Sequence, residues 1–166
     1  MKRKFVLDEN IITHAIKETN DPRYKASGKL IQILAENCYH QIALDGKLKK
    51  ELKDWIETLQ KDITALQHGS LKEKIPITSR VIPVIKNLLS KQGKVIFSSE
   101  PAPRFNGEQD YPEEDIYLAR IAHHHRALLV SDDLGIMMAD EAKHQSEITV
   151  LSSKEAIMYA KEKENE

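Results

Sequence analysis

The sequence predicts a single α/β domain: a central, mostly parallel sheet of about five strands with helices on both faces. Three observations predict it. Short apolar, partly β-branched runs alternate along the chain with stretches of helical period, the order that builds parallel strands joined by crossover helices. Two of these runs stop abruptly at acids, as fully buried strands do where they leave the core. The 166 residues are 40% hydrophobic and 31% charged, with 6 Gly and 6 Pro, which suffices for one core. No repeat, low-complexity run or linker divides them, so residues 1–166 read as one domain.

The elements follow in order. Lys4-Phe-Val-Leu is the first strand and ends at Asp8. Residues 11–17 turn helical, Asn20-Asp-Pro-Arg reads as a turn, and a second helix is expected from Ser27 to Tyr39, with Leu30, Ile33, Leu34 and Cys38 at helical spacing. Gln41-Ile-Ala-Leu is the second strand, closed by Asp45-Gly46. Leu48, Leu52, Trp55, Ile56 and Leu59 then form an amphipathic stripe, with Trp55 read as packing. Residues 62–93 read as a basic helical insertion: His68-Gly-Ser breaks the preceding helix, Pro76 and Pro83 punctuate the rest, and 81–89 is helical. Lys94-Val-Ile-Phe-Ser-Ser is the third strand, followed by a Pro/Gly loop over 101–112. A helix runs from Glu113 to His125, and Ala127-Leu-Leu-Val is the fourth strand, stopping at Ser131-Asp132-Asp133. Glu147-Ile-Thr-Val-Leu is the fifth, and Ser152 or Ser153 caps a last helix over 154–163.

Composition excludes several classes. No apolar stretch approaches the ~20 residues of a membrane span, and the start carries no secretory apolar run. The single cysteine, Cys38, excludes a disulfide framework and a multi-cysteine zinc site, and its place on an apolar helix face reads as core. The expectation is a cytoplasmic protein without a membrane partner. His123-His124-His125 ends a helix, where histidine suits the dipole, and is read as a helix end rather than a zinc site. The net charge of -1 hides an uneven distribution, with a basic excess over 47–94 and an acidic excess after it.

In an open α/β sheet, chemistry collects beyond the carboxyl ends of the strands. Asp8 and Asp132-Asp133 follow strands, Glu113-Glu114-Asp115 opens a helix that feeds the fourth strand, and Glu51 lies early in the helix after the second. Each has an ordinary explanation singly, as helix cap, turn residue or dipole partner. Gathered at one edge they repel unless a cation lies among them. Carboxylates without paired Cys or His suit a hard ion, Mg²⁺ or Mn²⁺, and such ions serve phosphodiester hydrolysis.

The motifs that carry these acids resemble the PIN-domain superfamily, which includes the VapC-type toxin ribonucleases. Phe5-Val-Leu-Asp-Glu-Asn-Ile-Ile is similar to its strand-ending Asp-x-Asn motif. Glu51 stands in the helix after the second strand, Glu114-Asp115-Ile-Tyr-Leu-Ala-Arg-Ile-Ala resembles its Asp-bearing, Ala-rich helix, and Leu129-Val-Ser-Asp-Asp resembles its Leu-Val-Thr-x-Asp strand end. The resemblance extends to the closing Ile148-Thr-Val-Leu-Ser-Ser-Lys-Glu and so covers nearly the whole chain in order. It implies that Asp8, Glu51, Asp115 and Asp133 are the catalytic, metal-binding acids, that Asn10 supports Asp8, and that Ser131 is the family's hydroxyl residue. Glu9 stands where a small residue is expected and Asp132 adds an acid beside Asp133, which makes Glu114 and Asp132 second choices as ligands.

The implied activity is a Mg²⁺- or Mn²⁺-dependent endoribonuclease, with RNA, rather than DNA, favoured by the resemblance. An antitoxin or other protein partner and a homodimer are within its scope. Lys47, Lys49, Lys50 and Lys53 surround Glu51 and, with Arg104 and Arg126, are the candidates for holding a phosphate backbone. Lys72, Lys74, Arg80, Lys86, Lys91 and Lys94 extend the basic run. Aromatics at 5% argue against an extended base-stacking platform. Two alternatives stand beside the nuclease. One is a catalytically silent RNA- or protein-binding module, which all four acids argue against. The other is an aspartyl-phosphate phosphatase on Asp8, which Asn10, in place of a second Asp, argues against.

Overall fold

The structure, a computed structural model, describes residues 2–16, 22–36, 39–67, 81–91, 93–141 and 148–162. Five strands, β1 (Lys4–Leu7), β2 (Gln41–Asp45), β3 (Val95–Ser98), β4 (Leu128–Val130) and β5 (Val150–Leu151), form one sheet in the order β3-β2-β1-β4-β5. All pairings are parallel. The helices are α1 (Glu9–Ile16), α2 (Pro22–Glu36), α3 (Gly46–Gln67), α4 (Val81–Ser90), α5 (Ile116–His125), α6 (Leu134–Glu141) and α7 (Ser153–Lys161).

Consecutive strand residues point to opposite faces, and Phe5, Val6 and Leu7, like Ile42, Ala43 and Leu44, are all buried, so both faces are covered. On one side α2 packs against α1, α4 and α7; α5 lies on β1, β2 and β4. The chain runs outward from β1 through β2 to β3, then returns to place β4 on the other side of β1. That reversal opens a crevice at the carboxyl ends of β1 and β4, the switch point where ligands of such sheets bind.

The expected strands are all present, within one or two residues for the first four; the fifth is confined to Val150–Leu151. Ser152, not Ser153, caps α7: its Oγ accepts from the Glu155 N–H at 3.2 Å, and the Glu155 carboxylate accepts from the Ser152 N–H at 3.2 Å. Ser152→Ala should cost about 1 kcal/mol, read in urea denaturation with an unchanged m value.

Several expectations are corrected. The second helix begins at Pro22, because proline with its fixed φ and missing N–H suits a helix's first turn; Pro22 and Arg23 of the turn read there are its start, and Asn20 and Asp21 lie outside the described residues. The helix expected from Glu113 opens as a 3₁₀ turn, Glu113–Asp115, before α5 begins. α6 was not expected, because Leu134 and Met138 are exposed and blur its apolar face. Trp55 is 37% exposed rather than core, and its Nε1 donates to Thr13 Oγ1 at 2.7 Å. Within the stretch read as an insertion, α4 sends Ile82, Ile85 and Leu88 into the core; residues 68–80, with Lys72, Lys74, Arg80 and Pro76, lie outside the described residues, as does Cys38.

At the opposite edge of the sheet His40 is buried just before β2. Its Nδ1 accepts from the Arg3 N–H at 3.3 Å, which makes Nε2 the donor to Ala160 O at 3.0 Å and ties β1, β2 and α7 together. Burial, together with the charges of Lys94 and Arg3, holds its pKa below the ordinary value despite that bond to Ala160.

Candidate active site

Register brings the first two site residues together. Leu7 stands opposite Val130, so Asp8 and Ser131 leave β1 and β4 side by side at the switch point. Ser131 Oγ donates to Asp8 Oδ2 at 2.8 Å and accepts from the Asp133 N–H at 3.0 Å. Backbone N–H groups of Asn10 and Glu9, at the start of α1, also donate to the Asp8 carboxylate. Asp8 and Ser131 are 3% and 0% exposed. Burial pushes the Asp8 pKa up, the Ser131 and backbone donors pull it down, and the Asp133 charge raises it again; the balance is a rise. Asn10 thus supports Asp8 through its backbone.

Asp133 caps α6: its Oδ1 accepts from the N–H groups of Gly135, at 2.8 Å, and Ile136, at 3.2 Å. A Cβ on Gly135 would lie 3.0 Å from that oxygen and 3.2 Å from Pro112 Cγ, so glycine lets α6 close against the loop that carries Asp115. Asp115 ends the 3₁₀ turn, its N–H bonded to Pro112 O at 2.8 Å. Burial, then the charges of Asp8, Asp133, Glu114 and Glu9, push its pKa up to about 6. Glu9 is itself raised by burial and by the charges of Asp8 and Glu51. The acids therefore form one electrostatic network around the crevice.

Glu51 enters it from α3, whose first turn is fixed by Asp45 Oδ1 accepting from the Leu48 N–H at 2.7 Å. The Tyr117 hydroxyl donates to Glu51 Oε2 at 2.8 Å, and Lys47 Nζ lies 4.0 Å from Oε1 and 4.2 Å from the centre of the Tyr117 ring. Burial and the bond to Glu51 raise the Tyr117 pKa, so the phenol stays protonated and donates. Among the described residues, no three His, Cys, Asp or Glu side chains already stand close enough to hold a metal ion. The side chains that face this edge from Asp8, Glu51, Asp115 and Asp133 are all carboxylates, the donor type that suits Mg²⁺ or Mn²⁺.

The second-choice acids divide. Glu114 is exposed on the 3₁₀ turn, close enough for its charge to act on Asp115. Asp132 is spent on structure: Oδ1 accepts from the Ser153 N–H at 2.9 Å and Oδ2 from Ser153 Oγ at 2.8 Å, which fastens the end of β4 to the start of α7. Asp132→Asn should cost about 1–2 kcal/mol of stability, read by urea denaturation, and leave Mn²⁺ affinity where it was.

The basic candidates divide as well. Lys47, Lys49, Lys50 and Lys53 ride the first turns of α3, at the carboxyl edge; Lys49 Nζ sits 4.8 Å from the centre of the Phe97 ring. Arg104 is exposed in the loop beyond β3. Arg126 is not brought to this edge. It precedes β4 and ends α5 in the left-handed conformation at φ 53, so it stands at the amino edge, away from the acids. Lys94 likewise precedes β3 and is 5% exposed. The histidine tract is the last turn of α5, where His123 stacks on Phe105 at 4.5 Å.

Sequence reasoning missed Tyr117 and Gly135. A tyrosine two residues after Asp115, among aliphatic neighbours, was the available signal, but its partner lies on another helix.

No protein-family model matches the chain, and no curated protein matches it. Among solved structures it is similar to VapBC2 from Rickettsia felis bound to a DNA fragment from the promoter, at 14% identity over 90% of this chain and 98% of that chain, with a TM-score of 0.46. It is similar also to FitAB bound to an IR36 DNA fragment, at 15% identity over 90% of this chain and 95% of that chain, TM-score 0.47. FitAcB from Neisseria gonorrhoeae gives 15% identity over 90% and 97%, TM-score 0.41. Identities and scores are low, and the architecture stands on the chain's own strand order and register.

Proposed function

We propose that the chain is a PIN-domain nuclease, a metal-dependent endoribonuclease that hydrolyses phosphodiester bonds of RNA at the carboxyl edge of β1 and β4. What supports the reading is that Asp8, Asp115 and Asp133, from three separate segments, lie near enough at the carboxyl edge of β1 and β4 for their charges to act on one another, with Glu51 of α3 reaching the same group through Glu9. A merely solvated surface has no need to bury Asp8 beside them at a cost in ionisation.

In this reading the four acids hold Mg²⁺ or Mn²⁺, with Ser131 and the α1 N–H groups fixing the Asp8 carboxylate. Bound there, the ion supplies Lewis acidity toward the phosphoryl oxygen and toward the attacking water. Lys47, beside Glu51, and with it Lys49, Lys50 and Lys53 on the first turns of α3, are the residues that would hold the polyanion against an acidic site, so binding weakens as salt rises. RNA as substrate and an antitoxin as protein partner rest on the resemblance of the motifs.

The test is cleavage of labelled single-stranded RNA, structured RNA and DNA, with Mn²⁺ or with chelator. Chelator-sensitive RNA cleavage is the expected result. Bound Mn²⁺ without cleavage of any probe would favour the silent module, and the absence of Mn²⁺ binding would overturn the reading at its centre.

A further inference from the structure

Tyr117 touches two groups of opposite charge, and the sequence alone assigned it to neither. Its hydroxyl donates to Glu51 Oε2 at 2.8 Å, while its ring face lies under the Lys47 ammonium at 4.2 Å. The Glu51 side chain is 39% exposed and that of Lys47 58% exposed. Side chains that open to solvent exchange among several rotamers unless a partner selects one. The backbone of α5, anchored by the buried Leu118, Ala119, Ile121 and Ala122, makes Tyr117 the fixed member of the group. Glu51 is thereby held at the hydroxyl and Lys47 over the ring face of one side chain.

We infer that Tyr117 is a positioning residue with two separable duties: its hydroxyl aims Glu51 into the acidic site, and its ring stations Lys47 where a phosphodiester of the substrate must lie. The inference rests on the metal-site reading above and deepens it. The hydroxyl selects the Glu51 rotamer by occupying Oε2, while Oε1 faces the Lys47 ammonium at 4.0 Å. Contact with the ring face keeps a strongly hydrated ammonium close to its neighbouring carboxylate but not paired at hydrogen-bond distance, so it stays available to an incoming anion.

Two variants separate the duties. Tyr117→Phe removes the hydroxyl and keeps the ring; Tyr117→Leu removes both. Mn²⁺ affinity is measured by titration calorimetry, and affinity for a labelled single-stranded oligoribonucleotide is measured in chelator, where no cleavage occurs. Tyr117→Phe should weaken Mn²⁺ roughly tenfold, as loss of a group that orients a ligand does, with oligonucleotide affinity unchanged. Tyr117→Leu should weaken Mn²⁺ to the same extent and, in addition, weaken the oligonucleotide about threefold, the range of one exposed cation–π contact. A Tyr117→Phe protein that melts lower but binds Mn²⁺ like wild type would overturn the first duty and leave the metal site standing. Unchanged oligonucleotide affinity in Tyr117→Leu would overturn the second. Wild-type protein that binds no Mn²⁺ would overturn the metal reading, and this inference with it.

Discussion

Asp8→Asn is expected to abolish cleavage while the metal-free protein folds as well as wild type or better. The loss should reach about a thousandfold or more, since a bound ion contributes several kcal/mol to such a transition state and each 1.36 kcal/mol is about tenfold in rate. The stability half follows from where Asp8 sits. It is 3% exposed, and burial holds its pKa above the ordinary value, so its ionised form is less comfortable folded than unfolded. Asparagine has nearly the same volume, keeps one oxygen to accept from Ser131 or the α1 N–H groups, and removes the charge that repels Asp133 and Asp115. Thermal melts with and without Mn²⁺ check both halves. Mn²⁺ should raise the Tm of wild type, by mass action on the folded state, and not that of the variant. An Asp8→Asn protein that still cleaves, or that Mn²⁺ still stabilises, would sink the assignment of Asp8.

The fold was legible because the strands are doubly buried. Runs such as Phe5-Val-Leu and Leu129-Val carry no polar residue to confuse their period, and each stops at a residue that must face the crevice. The site's location was legible for the same reason: an acid at the end of a buried strand marks the carboxyl edge. The rest depended on contacts that a linear pattern does not hold. α6 is built on an Asp133 cap, but its exposed Leu134 and Met138 give no amphipathic stripe. Asp132 and Asp133 are adjacent and chemically alike, and only the folded chain turns one onto Ser153 and the other toward Asp115. Arg126 and Lys49 read alike as cations; the direction of β4 and of α3 puts one at each end of the sheet. Tyr117 was invisible because its two partners are 66 and more residues away in sequence.

Acidification should loosen the metal and, in the metal-free protein, relieve the site, so that the two effects run in opposite directions through the same pH window. Asp115 sits at about 6 because burial and then the charges of Asp8, Asp133, Glu114 and Glu9 resist its ionisation. A raised carboxyl pKa contributes stability that is fully present below the ordinary value of 3.8 and is lost as pH rises through about 6. Discounted for the solvent that reaches Asp115, the contribution is on the order of 1 kcal/mol, or roughly 2–4 °C in Tm for a chain of this length. Holding Mn²⁺ requires the ionised carboxylate, so affinity should fall by about tenfold between pH 7 and pH 5. His40 moves the other way: its pKa is lowered, so its contribution is present above 6.5 and is lost as pH falls below that value. Raw melting curves therefore mix two signs, and the quantity that isolates the site is the Tm of wild type minus that of Asp115→Asn at each pH. That difference should become more negative as pH rises from 5 to 7.5, because only wild type acquires the repelled charge. Over the same interval the Mn²⁺-induced rise in wild-type Tm should grow. If both quantities stayed flat with pH, Asp115 would not be part of an acid network that a cation relieves.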